Sequence, residues 1–106
     1  MSEALHTLSD LDRVIHEPSR LLLVALLSSV ESADFLFLLN ESHLTKGNLT
    51  VHLSKLEEAG YIQIEKTIRG KFPHTEYRLT DQGRTAFEAY RQNLQRIFPE
   101  QKNQQG

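Results

Sequence analysis

The chain has 106 residues, a formal net charge of −2 and no cysteine. That length suits one domain with one core, the charge argues against a protein that coats nucleic acid indiscriminately, and the lack of thiols excludes a disulfide scaffold or thiolate zinc ligation. The longest apolar run, Leu21 to Leu27, is far short of the roughly 20 residues of a membrane span, and Met1-Ser2-Glu3-Ala4 lacks the basic start of a secretory signal, so no membrane association and a cytoplasmic location are expected.

In chain order, Ser9 can cap a first helix over about residues 8–17, with Asp12 three positions on and Leu8, Leu11, Val14 and Ile15 as its apolar stripe. Pro18 interrupts that pattern and suits the first turn of a second helix. From Ser19 to Ser29 this helix is apolar nearly all round, which marks it as the centre of the core. Ser32 or Asp34 can cap a short third helix through about Asn40, with Phe35, Leu38 and Leu39 facing that centre, and Glu41-Ser42-His43 forms a turn.

Thr45 is a good N-cap for a fourth helix over about 46–59, Leu44 can pack on Leu49 as a hydrophobic staple, and Gly60 ends it. Ile62 and Ile64 alternate with polar residues, as do Thr75, Tyr77 and Leu79, so two antiparallel strands should flank a polar loop at 66–74. Thr80 and Asp81 cap a last helix with Phe87, Tyr90, Leu94, Ile97 and Phe98 at three- and four-residue spacing, until Pro99 and a polar tail at 99–106. Charge is uneven along this order. Before Thr45 only Arg13 and Arg20 offset seven acids, whereas from Lys46 to Arg78 the bases Lys46, Lys55, Lys66, Arg69, Lys71 and Arg78 outnumber Glu57, Glu58, Glu65 and Glu76.

On the fourth helix, Leu49, Leu53 and Leu56 point inward together. The opposite face carries Gly47, Val51, Ser54 and Lys55, with Asn48 and Thr50 beside them. Small side chains there let a helix sit deep in a major groove about 12 Å wide, where Asn48 can address adenine, Val51 a thymine methyl and Thr50 a base or phosphate. Lys55 suits phosphate, and Thr45 and Lys46, also candidate DNA contacts, lie at the N-terminal end of the same helix. In the loop, Lys66, Arg69 and Lys71 surround Gly70, which permits a hairpin reversal, and an arginine at such a tip can read a narrow minor groove.

A short helix, a turn, this polar-faced helix and a basic hairpin together read as a winged helix-turn-helix: a mainly α fold with a small antiparallel hairpin, spanning 1–98 as one domain. The segments Thr45 to Ile62 and Tyr77-Arg78-Leu79-Thr80-Asp81-Gln82-Gly83-Arg84 resemble the recognition helix and the wing-to-helix junction of compact MarR-like regulators, related to the ArsR and PadR types. The resemblance implies a sequence-specific regulator of transcription that binds double-stranded DNA as a homodimer, with helices at about 8–17 and 81–98 forming the interface. Leu8, Leu11, Ile15, Phe87, Tyr90, Leu94, Ile97 and Phe98 are the candidate interface residues, because they extend beyond what the small reader domain needs to cover its core. The alternative at this point is that the two terminal helices pack on each other within one chain.

The five histidines are scattered and no glycine-rich phosphate loop occurs, so neither an enzyme, a cofactor nor a metal site is expected. A small-molecule effector stays open. The rival function is a winged helix used only for protein contacts.

Overall fold

The computed structural model describes residues 3–98, without the side chains of Glu3, Ala4 and Leu8. The expected tail at 99–106 and the Leu8 interface contact therefore lie outside the described residues. Five helices, α1 (Glu3–Ser9), α2 (Pro18–Ser28), α3 (Phe35–Ser42), α4 (Lys46–Glu58) and α5 (Asp81–Ile97), accompany three strands, β1 (Ala33–Asp34), β2 (Ile62–Arg69) and β3 (Phe72–Leu79). The strands form one antiparallel sheet in the order β1-β3-β2.

The core gathers around α2, where Leu23, Val24 and Leu27 are fully buried. Leu38 of α3, Leu49 and Leu56 of α4, Ile62 and Leu79 at the sheet root, and Tyr90 of α5 close around them. Each such aliphatic side chain stabilises the fold by about 1.5–3 kcal/mol relative to exposure. Pro18 occupies the first turn of α2 as expected, and the Glu17 carboxylate accepts from the Arg20 backbone N–H as its cap.

The first helix departs from expectation. It ends at Ser9, whose hydroxyl donates to the His6 carbonyl at 2.8 Å, instead of starting there. Asp12 does use its carboxylate on backbone, accepting from Val14 N–H at 2.8 Å and Ile15 N–H at 3.1 Å, but it closes a turn. A short polar side chain that bonds to nearby amides offers the chain an alternative to a helix, and the other oxygen of Asp12 is held by the Tyr61 hydroxyl. That turn drives Leu11 and Ile15 into the core, at 4% and 0% exposure.

Two junctions fix the hairpin to the body. Gly60, at φ 82°, ends α4 with its N–H on the Glu57 carbonyl, while the Tyr61 N–H reaches the Leu56 carbonyl at 3.0 Å, which is a Schellman cap. At the other end of the hairpin Thr80 caps α5 by accepting from the Gly83 N–H at 3.0 Å, and its hydroxyl donates to the Gly60 carbonyl at 2.6 Å. The Thr80 N–H donates to the Tyr61 carbonyl at 2.9 Å. Gly83 lies against that same carbonyl: a Cβ there would stand 2.2 Å from the Tyr61 oxygen. Both strands of the hairpin are thereby clamped where they enter and leave the sheet.

Candidate nucleic-acid interface

The helix α4 starts where its sequence dictates. The Thr45 hydroxyl accepts from the Asn48 N–H at 3.1 Å, and Leu44 packs against the core beside fully buried Leu49. The turn from α3 is made by His43 in the left-handed region at φ 60°, a conformation histidine tolerates better than branched residues. With Leu49, Leu53 and Leu56 buried, Thr45, Lys46, Gly47, Asn48, Thr50, Val51, Ser54 and Lys55 are all exposed. Val51, an apolar residue, is 51% exposed. The Thr50 hydroxyl donates back to the Lys46 carbonyl at 2.8 Å, which leaves its lone pairs outward as acceptors. His52, at the border of the stripe, meets an Arg20 guanidinium nitrogen at 3.1 Å through Nδ1.

The hairpin is longer and its turn tighter than the sequence suggested. In place of a loop over 66–74, β2 and β3 pair without interruption from Ile62↔Leu79 to Arg69↔Phe72, leaving only Gly70 and Lys71 in the turn. Gly70 has φ 62°, and Lys71 is not among the positive-φ residues, the pattern of a type II′ turn with glycine first. Pro73 fits a strand here because it pairs with Ile68 one rung from the closing Arg69↔Phe72 pair. In an antiparallel ladder that rung is non-hydrogen-bonded, so the N–H proline lacks would have pointed away from β2.

Register also sorts the hairpin side chains by face. Ile62, Ile64, Lys66 and Ile68, with Leu79, Tyr77, Thr75 and Pro73 opposite, form the inner face toward α4. Thr50, Ser54 and Glu57 of α4 and Ile64, Lys66 and Tyr77 of the sheet line one cavity of about 270 Å³. The exposed side of α4 and the root of the hairpin thus share one concave surface.

On the outer face Glu76 gathers a network: the Ser32 hydroxyl donates to it, His74 Nε2 lies 2.6 Å from Oε2, and Arg69 lies 3.6 Å from the same oxygen. The His74 contact first, then the Ser32 hydroxyl, hold the Glu76 carboxyl below the usual carboxylate range. Arg69, read from sequence as a free tip residue, is instead folded back along the strand, although its side chain stays 70% exposed. Among the described residues Lys46, Lys55, Lys66 and Lys71 have no carboxylate within 4.0 Å.

Sequence reasoning missed a basic flank. Arg13 and Arg20 join Lys55, with Glu58, around a cleft of about 390 Å³ at the C-terminal end of α4. Arg20 is held there by its Nε donating to the Val14 carbonyl at 2.6 Å. Both arginines sit in the acid-rich part of the chain; the turn after α1 places Arg13 and the packing of α2 on α4 places Arg20 at this cleft.

The candidate interface residues of the terminal helices divide. Leu11, Ile15 and Tyr90 are core, a correction to the sequence reading: Tyr90 is 3% exposed and its hydroxyl bonds to His16 Nδ1 at 2.8 Å. Phe87, Leu94 and Ile97 are half-buried, and Phe98 is 73% exposed. Within one chain α1 packs along α5. No group of His, Asp and Glu among the described residues could hold a metal ion, and among them no helix is long and apolar enough to cross a membrane.

The family model described as a winged helix DNA-binding domain matches residues 19–98. An uncharacterized protein of Methanocaldococcus jannaschii is 35% identical over 78 residues, covering 74% of this chain and 85% of that protein. Among solved structures, the transcriptional regulator homologue from Pyrococcus horikoshii OT3 superimposes with a TM-score of 0.83 at 26% identity, covering 92% of this chain and 95% of its own. NadR in complex with 4-hydroxyphenylacetate shares the fold, with a TM-score of 0.69 at 20% identity over 89% of this chain and 66% of NadR.

Proposed function

The chain belongs to the winged helix DNA-binding domain family, and from that premise we propose that it regulates transcription by laying α4 in a major groove and the hairpin on the adjoining minor groove or backbone. The observation that carries this reading is the shared concave surface of α4 and the hairpin root, open to solvent and edged by cations that lack carboxylate partners. A surface used only for protein contacts has no need of Lys46 and Lys55 on α4 and Lys66 and Lys71 on the hairpin left unpaired beside a helix face of small residues.

In this proposal Gly47 and Ser54 allow close approach, Asn48 reads adenine, Val51 touches a thymine methyl, and Thr50 meets a base or phosphate. Lys46, Lys55 and Lys71 bind phosphate, as do the N–H groups beside Thr45. Arg69 must leave Glu76 to reach the duplex. Two chains act together, joined through Leu94, Ile97 and Phe98 with support from Phe87, so that two α4 helices meet successive major grooves. A small organic effector belongs to the same proposal by analogy with NadR, whose structure holds 4-hydroxyphenylacetate. The proposed setting is the cytoplasm.

The test is binding of the full chain to random duplex DNA across a salt series. If both protomers neutralise phosphates with Lys46, Lys55 and Lys71, affinity falls about 10³-fold between roughly 50 and 200 mM salt. Absence of binding at the low-salt end would refute the reading.

A further inference from the structure

We propose that the hairpin tip is an apolar wedge: Phe72 presses into the minor groove against the deoxyribose walls and one base step, and bends the duplex. The inference rests on the DNA-binding reading above and adds a way of selecting sequence to it. Ile68 and Phe72 are 76% and 74% exposed; Phe72 closes the Gly70-Lys71 turn opposite Arg69, and Ile68 stands one rung behind on the other strand. Phe72 is opposite Arg69 on the outer face and Ile68 opposite Pro73 on the inner face, so each side of the ribbon ends in a large apolar group.

The Arg69 guanidinium is folded back to Glu76, which pairs with Glu65 four rungs nearer the sheet root. What leads at the tip is therefore Lys71, Phe72 and Ile68. Lys66 and Lys71, both without carboxylate partners among the described residues, give the tip a polyanion as its complementary surface. That surface is continuous with the α4 face through Lys66 in the shared cavity.

On the β3 side, a second copy adding as a strand is disfavoured by the edge itself. β1 pairs with β3 only at Tyr77 and Glu76, and on the edge left open beyond them Pro73 supplies no N–H. The width of the groove decides the mode of insertion. A minor groove about 6 Å wide cannot admit two strands about 4.8 Å apart with their side chains, so a single side chain goes in and opens a step. Pyrimidine–purine steps unstack most easily, and the wedge therefore favours them at positions where no hydrogen bond is made.

The experiment uses the full chain and duplexes it recovers from a random-sequence pool, with 2-aminopurine placed at steps flanking each half-site. The expected result is a several-fold rise in 2-aminopurine emission on binding and a bend of about 20–90° by permuted-fragment mobility. Phe72→Ala should abolish the emission rise, remove most of the bend and weaken binding about tenfold, while Phe72→Leu keeps the bend and Arg69→Ala weakens binding without straightening the duplex. Because Phe72 is exposed, its loss leaves the fold intact, which circular dichroism checks. Salt-sensitive binding by the parent to a straight duplex with unchanged emission overturns the wedge and leaves DNA binding standing. Failure to bind any duplex removes both. If Phe72→Ala bends DNA as the parent does and instead abolishes self-association without DNA, the tip is a contact between copies and the wedge is wrong.

Discussion

Two glycines in first helical turns should respond to the same substitution with opposite signs. Gly83→Ala places a methyl 2.2 Å from the Tyr61 carbonyl oxygen, 2.9 Å from its carbon and 3.0 Å from Leu79 Cδ1. The nearest obstacle is backbone, so the start of α5 must back away from the hairpin root. Helix propensity would return up to about 1 kcal/mol. Against it stand an overpacking cost of about 1–3 kcal/mol and loss of the bonds from Thr80 N–H to Tyr61 O and Thr80 Oγ1 to Gly60 O, about 1 kcal/mol each. The net is a destabilisation of about 2–4 kcal/mol, or roughly 10–30 °C in Tm for a domain of this size. Gly47→Ala meets nothing within 4 Å and should stabilise by about 0.5–1 kcal/mol, while weakening DNA binding by thickening the face that approaches the groove. Calorimetry of both variants is the assay, and hydrogen exchange across 62–79 shows whether the clamp has opened. A Gly83→Ala protein as stable as the Gly47→Ala protein would refute the account of the junction.

Further outcomes follow from the site and the core. Lys55→Ala should weaken binding on all sequences and lower the salt slope by about 1, whereas Asn48→Ala should cost about 1–3 kcal/mol only on fragments carrying its preferred base. Equal losses on every sequence for both would remove Asn48 from base reading. Burial first, then the hydrogen bond and charge of Asp12, push the Tyr61 hydroxyl up to about 12. A raised pKa of a group neutral when protonated gives stability that is fully present below the unfolded value near 10 and lost as pH rises through 12. Denaturant midpoints should therefore fall between about pH 10 and 12, less steeply in Tyr61→Phe; phenolate absorbance complete by about pH 10 would contradict this. Leu94→Asp with Ile97→Asp should give monomers by sedimentation, a prediction that lapses if the parent is already monomeric at micromolar concentration.

The helix α4 was legible because its determinants are local: Thr45 bonds three residues on, Leu44 and Leu49 are neighbours across one turn, and Gly60 takes the positive φ its position needs. The same holds for Thr80 at the start of α5. The order of those signals, with the face opposite Leu49, Leu53 and Leu56 left polar, was enough to read a winged helix and the exposed polar side of α4 from the chain alone.

Other features depend on residues distant in sequence. Asp12 turns the chain instead of continuing a helix while bonding to Tyr61, and Leu11 and Ile15 become core and not an interface strip. β1 consists of two residues that count as a strand only by pairing with Tyr77 and Glu76. The outer hairpin escaped notice because from Glu65 to Arg69 both faces are exposed, so no apolar alternation marks it; cross-strand bonding alone makes it regular. Local bonding patterns are written in neighbouring residues, and these set the reader helix and its caps. Which cations gather at one cleft, and that Arg69 folds back to Glu76, depend on contacts between segments far apart in the chain, and those exist only once the core has brought the segments together.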